Sequence, residues 1–120
     1  MTKPHKHHHL HNEERWHFHI IQMILAIEKI ETYVQGMTRN GFLSDDRTID
    51  AVIRNLEIIG EATHHIPNKV RKSHRAIPWA TLRHMRNFLA HEYFAVDPKI
   101  IWETVSKDLS AIKQALKKVY

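Results

Sequence analysis

The segment Arg86-Asn87-Phe88-Leu89-Ala90-His91-Glu92-Tyr93 contains a guanidinium, an amide, an imidazole and a phenol, and this chemistry suits a phosphodiester. The guanidinium is a permanent cation, and the amide can orient a phosphate. The imidazole can take or give a proton near neutral pH. These groups can offset charge on a phosphate and move a proton without a metal ion. We therefore interpret Arg86, Asn87 and His91 as a candidate catalytic set.

The chemistry that this set predicts is cleavage of RNA by its own 2′-OH group. His91 would take the proton of the 2′-OH, and Arg86 would offset the charge that builds on the phosphorane. His91 of a second copy, across a two-fold axis, would protonate the leaving 5′-oxygen. The product would end in a 2′,3′-cyclic phosphate. We assign no metal site and no cofactor to this reaction.

Helical spacing limits which of these side chains can meet. Arg83, Asn87 and His91 rise along one helical face, and His84 lies near that face. Arg86 and His91 lie about 140° apart on a straight helix, at about 100° per residue. Either the helix breaks near His91, or the helices of two protomers converge and complete the site between them. This geometry favours a homodimer.

The residues around this set form a strongly cationic stretch. From Ala62 to His91 there is no Asp or Glu, whereas there are six Lys or Arg residues and five His residues. Such a bias predicts a partner that carries phosphate. Structured RNA, with tRNA as the leading candidate, fits a long cationic surface better than a small ligand. The predicted RNA-binding residues are Lys69, Arg71, Lys72, Arg75, Arg83 and His84.

Several residues of the same region have simpler interpretations. Glu57 and Glu61 lie one turn apart, and a salt bridge to the basic stretch is favoured over a metal or acid–base role. Trp79 is interpreted as a packing residue, and Arg54-Asn55 as a structural hydrogen-bonding element. A basic helix can also be no more than a solvated face. A plain helical assembly module therefore remains an alternative function.

Composition indicates one soluble helical domain. The chain has 120 residues, of which 42% are hydrophobic and 26% charged, and its net charge is +5. It has no Cys, which excludes disulfides and thiolate zinc sites and fits a reducing compartment. No apolar run approaches the roughly 20 residues that span a bilayer. We expect a cytoplasmic protein with no membrane partner and no signal peptide.

The N-terminus differs from the rest of the chain. Seven of the 12 His residues precede residue 20. His-rich tracts bind Zn²⁺ or Ni²⁺, but an incidental tail is the favoured interpretation. The predicted division is a flexible tail at 1–12 and a helical domain at 13–120.

Apolar residues recur at helical spacing, and no window alternates with the two-residue period of a strand. Gly36 and Gly41 bracket the end of the first helix, and Ser44 or Asp45 caps the second. Asp97-Pro98 supplies a cap and a first-turn proline for the fourth. A basic connection precedes the third. We predict an all-α domain, an antiparallel four-helix bundle, with helices at about 13–35, 46–65, 79–92 and 97–119.

The motif Arg86-x4-His91-x-Tyr93 resembles the signature of HEPN-domain proteins, and in particular of the HepT-like toxins. The resemblance covers about Trp16 to Val119. The matching segments follow the order of that family: Thr48–Ala62, Ile77-Pro78-Trp79, Met85-Arg86-Asn87, His91-Glu92-Tyr93-Phe94 and Val96-Asp97.

The resemblance implies a HEPN-like four-helix domain that forms a homodimer with ribonuclease activity at its interface. Arg86 and His91 would be the catalytic pair, with Asn87 as their polar companion. It also implies a partner, a minimal nucleotidyltransferase antitoxin, as in type VII-like toxin–antitoxin pairs. That partner would transfer AMP from ATP to Tyr93, two residues from His91, and so block the site by bulk and negative charge.

One further alternative accepts the partner but not the catalysis. The chain could be a non-catalytic subunit that presents a substrate to the nucleotidyltransferase. In that case Tyr93 would matter and His91 would not. In a plain assembly module, neither residue would matter.

Overall fold

The computed structural model describes the backbone of residues 3–91 and 96–119, and the side chains of residues 15–91 and 96–119. All regular secondary structure in these ranges is helical. The helices are α1 (Lys3–Val34), α2 (Arg39–Leu43), α3 (Asp46–Ala62), α4 (Asn68–Ser73), α5 (Trp79–His91), α6 (Pro98–Glu103) and α7 (Leu109–Val119). A 3₁₀ turn at Thr63–His65 extends α3, and a π-helical turn at Thr104–Asp108 joins α6 to α7.

The core lies between the longer helices. α1 packs against α3 and α7, and α3 packs against α5. Each of these helices contributes one apolar stripe, and burial of one large side chain stabilises the fold by about 1.5–3 kcal/mol. The predicted all-α bundle is confirmed, whereas the homodimer stays a prediction. The fully buried side chains include Ile20, Met23, Ile27, Ile30, Val52, Leu56, Ile59, Leu109 and Leu116.

The first helix starts earlier than predicted. α1 begins at Lys3, so its backbone includes residues 3–12, which the sequence analysis assigned to a tail. The division after residue 12 and the flexibility of 1–12 stay predictions. Gly36 follows the helix with a φ of 77°, in the left-handed region that glycine favours. Gly41 lies inside α2, so its predicted role at the end of the first helix is wrong.

The predicted caps of two helices are confirmed. The carboxylate of Asp45 accepts from Thr48 N at 3.1 Å and from Thr48 Oγ1 at 2.8 Å, whereas Ser44 ends α2. The hydrogen bond from the Thr48 side chain is the main cause that lowers the pKa of Asp45. Asp97 caps α6, with Pro98 in its first turn. Both carboxylates satisfy backbone N–H groups that have no partner within the helix.

Two of the predicted connections contain short helices. α4 occupies the first part of the segment at 68–78, so the description of that segment as a connection is wrong for residues 68–73. α2 lies between the first two long helices and places Phe42 in the core. The ring of Phe42 lies 5.1 Å from that of Trp102, which joins α2 to α6.

The helical segment at 98–119 packs against α1. Nζ of Lys113 donates to Oε1 of Glu31 across 2.6 Å, and the Lys113 side chain is largely covered. Leu109 and Leu116 are fully buried in the same segment. Within the described ranges, no helix is long and apolar enough to cross a membrane.

Candidate active site

The predicted catalytic residues lie on α5, whose start is held firmly. The helix begins at Trp79, directly after Pro78. The Trp79 ring is buried, and its Nε1 donates to the carbonyl oxygen of His74 at 3.0 Å. The predicted packing role of Trp79 is therefore confirmed. Leu82 and Leu89 anchor the rest of the helix in the core.

α5 crosses α3 at Gly60, which lies against Arg86. A Cβ atom added at Gly60 would meet Cβ of Arg86 and would lie 2.7 Å from the carbonyl oxygen of Leu82. Real Cβ atoms do not approach this closely, so the two backbones can meet only because residue 60 is a glycine. An isolated glycine inside a helical pattern is the sequence signal for such a contact, and the sequence analysis missed it.

The guanidinium of Arg86 is held on two sides. Its Nε lies 2.7 Å from Oε2 of Glu61, and its Nη1 donates to Oδ1 of Asn87 at 3.2 Å. The predicted salt bridge from the Glu57/Glu61 pair to the basic stretch is confirmed for Glu61. The Arg86 side chain is 33% exposed and the Glu61 side chain 50% exposed, so the pair adds at most about 1 kcal/mol to stability. The contact orients Arg86 more than it stabilises the fold.

His91 is the last residue of α5, and its side chain is exposed, as are those of Asn87 and His84. The helix is regular from Trp79 to His91, so no break lies between Arg86 and His91. The two side chains therefore leave the helix about 140° apart, as on any straight helix. A break of the helix between Arg86 and His91 is therefore excluded, whereas a break directly after His91 would fall on residues outside the described ranges. Convergence of two protomers stays a prediction.

The other predicted residues lie at varying distances from this set. Tyr93, the predicted site of AMP transfer, is outside the described residues. Arg83 is half-buried, and its Nε has no hydrogen-bond partner among the described atoms. Arg71 of α4 is also half-buried and donates to Oδ1 of Asn68 at 2.7 Å. Three other basic side chains of this region, Lys69, Lys72 and Arg75, are exposed.

A cavity of about 440 Å³ opens beside Arg86, and the sequence analysis did not predict it. Its walls come from α1, α3, the 3₁₀ turn and α5. The polar side chains that line it include Gln22, Arg54, Glu57 and Glu61. Arg54 had been interpreted as structural, but it is exposed at this cavity, whereas Asn55 is buried and donates to the Ala51 carbonyl oxygen at 2.9 Å. The sequence signal for this cavity is the pair of glutamates one helical turn apart, Glu57 and Glu61.

Two histidines stack at one wall of this cavity. The rings of His19 and His65 lie 4.0 Å apart and are within 10° of parallel. Burial is the main cause that lowers the pKa of His19, and the nearby charges of His65 and Arg15 lower it further. Neither histidine was singled out from the sequence, because they are 46 positions apart and only the packing of α1 on the 3₁₀ turn brings them together. Among the described residues, no group of three or more His, Asp or Glu side chains is arranged to hold a metal ion.

Comparison with known proteins places this arrangement in a family. The family model described as "Ribonuclease HepT-like" matches residues 23–119. The chain belongs to the HepT-like ribonuclease family. The matched range includes α3, α5 and the segment from Arg86 to His91, and it begins after Phe18 and His19.

Individual relatives of this HepT-like chain have names that agree with the family. It is 44% identical over 94 residues to "Probable ribonuclease HepT" of Thermococcus cleftensis, covering 78% of this chain and 86% of the relative. It is 37% identical over 101 residues to "Putative RNase TTE0752" of Caldanaerobacter subterraneus subsp. tengcongensis, covering 84% and 88%. A longer relative, "Gamma-glutamylcyclotransferase and putative RNase MJ0434" of Methanocaldococcus jannaschii, is 39% identical over 101 residues, and this chain spans 44% of it. No solved structure matches the chain significantly.

Proposed function

We propose that this HepT-like chain is an endoribonuclease toxin that cleaves RNA as a homodimer without a metal ion. The observation that carries the proposal is the setting of Arg86. Glu61 and Asn87 hold its Nε and Nη1, and within the described residues no further hydrogen bond or ion pair engages the guanidinium, so its outer edge can take a ligand. A planar fork held in this way suits a phosphate that accepts two hydrogen bonds.

Each residue of the proposed reaction has one task. The imidazole of His91 takes the proton of the 2′-OH, whose oxygen then attacks phosphorus. Arg86 offsets the charge on the phosphorane, and Asn87 keeps the guanidinium in place. The bond from phosphorus to the 5′-oxygen breaks, and that oxygen takes a proton from His91 of the partner subunit. The products are a 2′,3′-cyclic phosphate and a 5′-OH.

The dimer is part of this proposal because one copy of α5 is an incomplete site. Arg86 and His91 point about 140° apart on a regular helix, so one helix does not easily direct both side chains at a single phosphate. Two copies of α5, related by a two-fold axis, can place Arg86 of one protomer beside His91 of the other. The symmetric arrangement also supplies the second imidazole that the leaving group requires.

The proposed substrate is a structured RNA, with tRNA as the favoured class. The cationic side chains Lys69, Lys72 and Arg75 are exposed, and the chain carries a net charge of +5. Such charges attract a phosphate backbone without reading its sequence. We include Arg71, Arg83 and His84 in the proposed RNA surface, although Arg71 and Arg83 are half-buried.

The proposed control is a nucleotidyltransferase antitoxin in the same cytoplasm. In this proposal the phenol oxygen of Tyr93 attacks the α-phosphorus of ATP, and pyrophosphate leaves. The resulting AMP group would bring a phosphate to the region of His91, where Arg86 could pair with it. This part of the proposal rests on the family resemblance and on the position of Tyr93 two residues after His91.

The test is RNA cleavage by protein purified without the nucleotidyltransferase, in EDTA, with total tRNA as substrate. We expect wild type to produce 2′,3′-cyclic phosphate ends, and His91→Ala to lower the rate by at least about 100-fold. His64→Ala is the matched control, because His64 is also exposed but lies on the 3₁₀ turn. Absence of cleavage by dimeric, unmodified wild type would overturn the proposal and favour the non-catalytic subunit.

A further inference from the structure

The cavity beside Arg86 has flat ring surfaces on one side. His19 and His65 stack with their rings 4.0 Å apart, and the exposed ring of Phe18 lines the same cavity. Burial and neighbouring charges lower the pKa of His19, which favours the neutral imidazole there. Aromatic and imidazole rings are the surfaces on which unpaired RNA bases stack.

The charged side chains of the cavity are of both signs. Arg54 and Arg86 line it as cations, and Glu57 and Glu61 line it as carboxylates, so the cavity as a whole does not select an anion. Glu61 is already paired with Arg86, whereas Glu57 is half-buried one turn earlier on α3. An ionised carboxylate only accepts hydrogen bonds, so Glu57 suits a ligand with an N–H₂ group. The cavity therefore fits a neutral ring that carries an amine.

The volume and position of the cavity agree with such a ligand. Its volume of about 440 Å³ lies within the range of about 300–1,000 Å³ that is usual for small-molecule sites. Arg86 and Ala90 of α5 form one wall, so a ring inside the cavity would lie next to a phosphate at the outer edge of Arg86. Phe18 and His19 precede residue 23, where the family match begins, so the family assignment does not account for the α1 wall.

We propose that this cavity binds one unpaired nucleobase with an exocyclic amine, next to the phosphate that Arg86 holds. Adenine, cytosine and guanine carry such an amine, and uracil does not. The base would stack on the rings at the α1 wall and donate to the carboxylate of Glu57. This inference rests on the proposed function, since it assumes an RNA substrate, and it adds a preference for the base beside the cut.

The experiment is binding of labelled RNA to the full chain, followed by fluorescence anisotropy. The probes are a short oligouridine strand and the same strand with one central cytidine. Cytosine and uracil are similar in ring size, so the comparison isolates the amine from stacking. The His91→Ala background prevents cleavage during the measurement. We expect the cytidine strand to bind about tenfold more tightly than the uridine strand.

Glu57→Gln should remove most of this difference, because an amide can donate to uracil as well as accept from cytosine. Glu28→Gln is the matched control and should keep the preference, because Glu28 is a half-buried glutamate of α1 that lies outside the cavity. His65→Ala should weaken binding of both strands, because it removes a stacking ring. Equal binding of both strands by the His91→Ala protein, or an unchanged preference when Glu57→Gln is added to it, would overturn the inference.

The outcomes also separate this inference from the proposed function. If wild type cleaves tRNA but the His91→Ala protein binds both strands equally, only the base site fails. If the preference is present and wild type does not cleave, the base site stands and the catalytic proposal fails. A second copy of this chain is the alternative occupant of the cavity, and light scattering of Phe18→Ala tests it. A change from dimer to monomer would assign the cavity mouth to that second copy and overturn the base site.

Discussion

Nε of Arg86 lies 2.7 Å from Oε2 of Glu61, and this ion pair joins the middle of α5 to the end of α3. Both side chains are partly exposed, so the free energy of the pair is small. The main effect of the pair is on the orientation of the Arg86 side chain. A carboxylate on Nε fixes the rotation of the guanidinium plane, so that the edge proposed to hold a phosphate stays outside the pair. Arg86 thus has a defined orientation.

The first prediction concerns this ion pair. Glu61→Ala should lower the turnover number for RNA cleavage by about tenfold, because Arg86 loses its fixed orientation. Glu61→Gln should retain most of the activity, because the amide oxygen still accepts from Nε. In an Arg86→Lys background, Glu61→Ala should have little further effect, since an ammonium has no Nε to hold. Independent, additive losses in this double-mutant cycle would contradict the assigned role.

The second prediction concerns the crossing of α3 and α5. Gly60→Ala should lower the free energy of unfolding by about 2 kcal/mol, because the new methyl group overlaps Cβ of Arg86 and the Leu82 carbonyl. Alanine is more favourable than glycine inside a helix, so a lower free energy of unfolding in Gly60→Ala measures the steric overlap. Urea denaturation measures it. Gly41→Ala is the control: its nearest atom is the Thr38 hydroxyl at 3.2 Å, and we expect a smaller loss. Equal losses at both positions would refute the close crossing.

The third prediction concerns pH. Folding lowers the pKa of His19 from its ordinary value of 6.5. As the pH falls below 6.5, His19 therefore binds a proton more readily in the unfolded chain than in the folded chain. The stability associated with His19 is therefore complete above pH 6.5 and is lost as the pH falls through the lower, folded pKa. His65 and Arg15 repel the added charge, and Glu57 and Glu61 line the same cavity.

His19→Gln should accordingly reduce the fall in melting temperature between about pH 7.5 and about pH 5.5. Thermal unfolding at a series of pH values measures this difference. His64→Gln, at an exposed position of the 3₁₀ turn, should leave the pH dependence as it is in wild type. If both variants follow the wild-type curve, His19 makes no measurable contribution.

The fourth prediction concerns the partner enzyme. Co-expression with the proposed nucleotidyltransferase antitoxin should raise the intact mass of this chain by whole AMP units. Tyr93→Phe should abolish the increase, because the acceptor hydroxyl is gone. Tyr33→Phe is the matched control, since Tyr33 is an exposed tyrosine of α1. An unchanged mass in wild type would rule out this mode of control, and a gain that persists in Tyr93→Phe would assign it to another residue.

The fold could be predicted from the sequence because its signals are local. Helical periodicity, Asp45 and Asp97 as caps, and Gly36 after the first helix depend on residues a few positions apart. The two short helices, α2 and α4, were missed because segments of five and six residues carry too few apolar positions to show a period. The membership of the HepT-like family was also available, because the matching segments follow the order of that family from Thr48 to Asp97.

The candidate site could be predicted only in part. The types and spacing of Arg86, Asn87 and His91 are properties of the sequence, and so is the glutamate pair one turn apart at Glu57 and Glu61. The packing of α1, α3 and α5 determines which carboxylate pairs with Arg86. It also determines that His19 meets His65. The tertiary structure alone decides such contacts, because they join residues far apart in the chain through the close crossing at Gly60 and the burial of long apolar stripes.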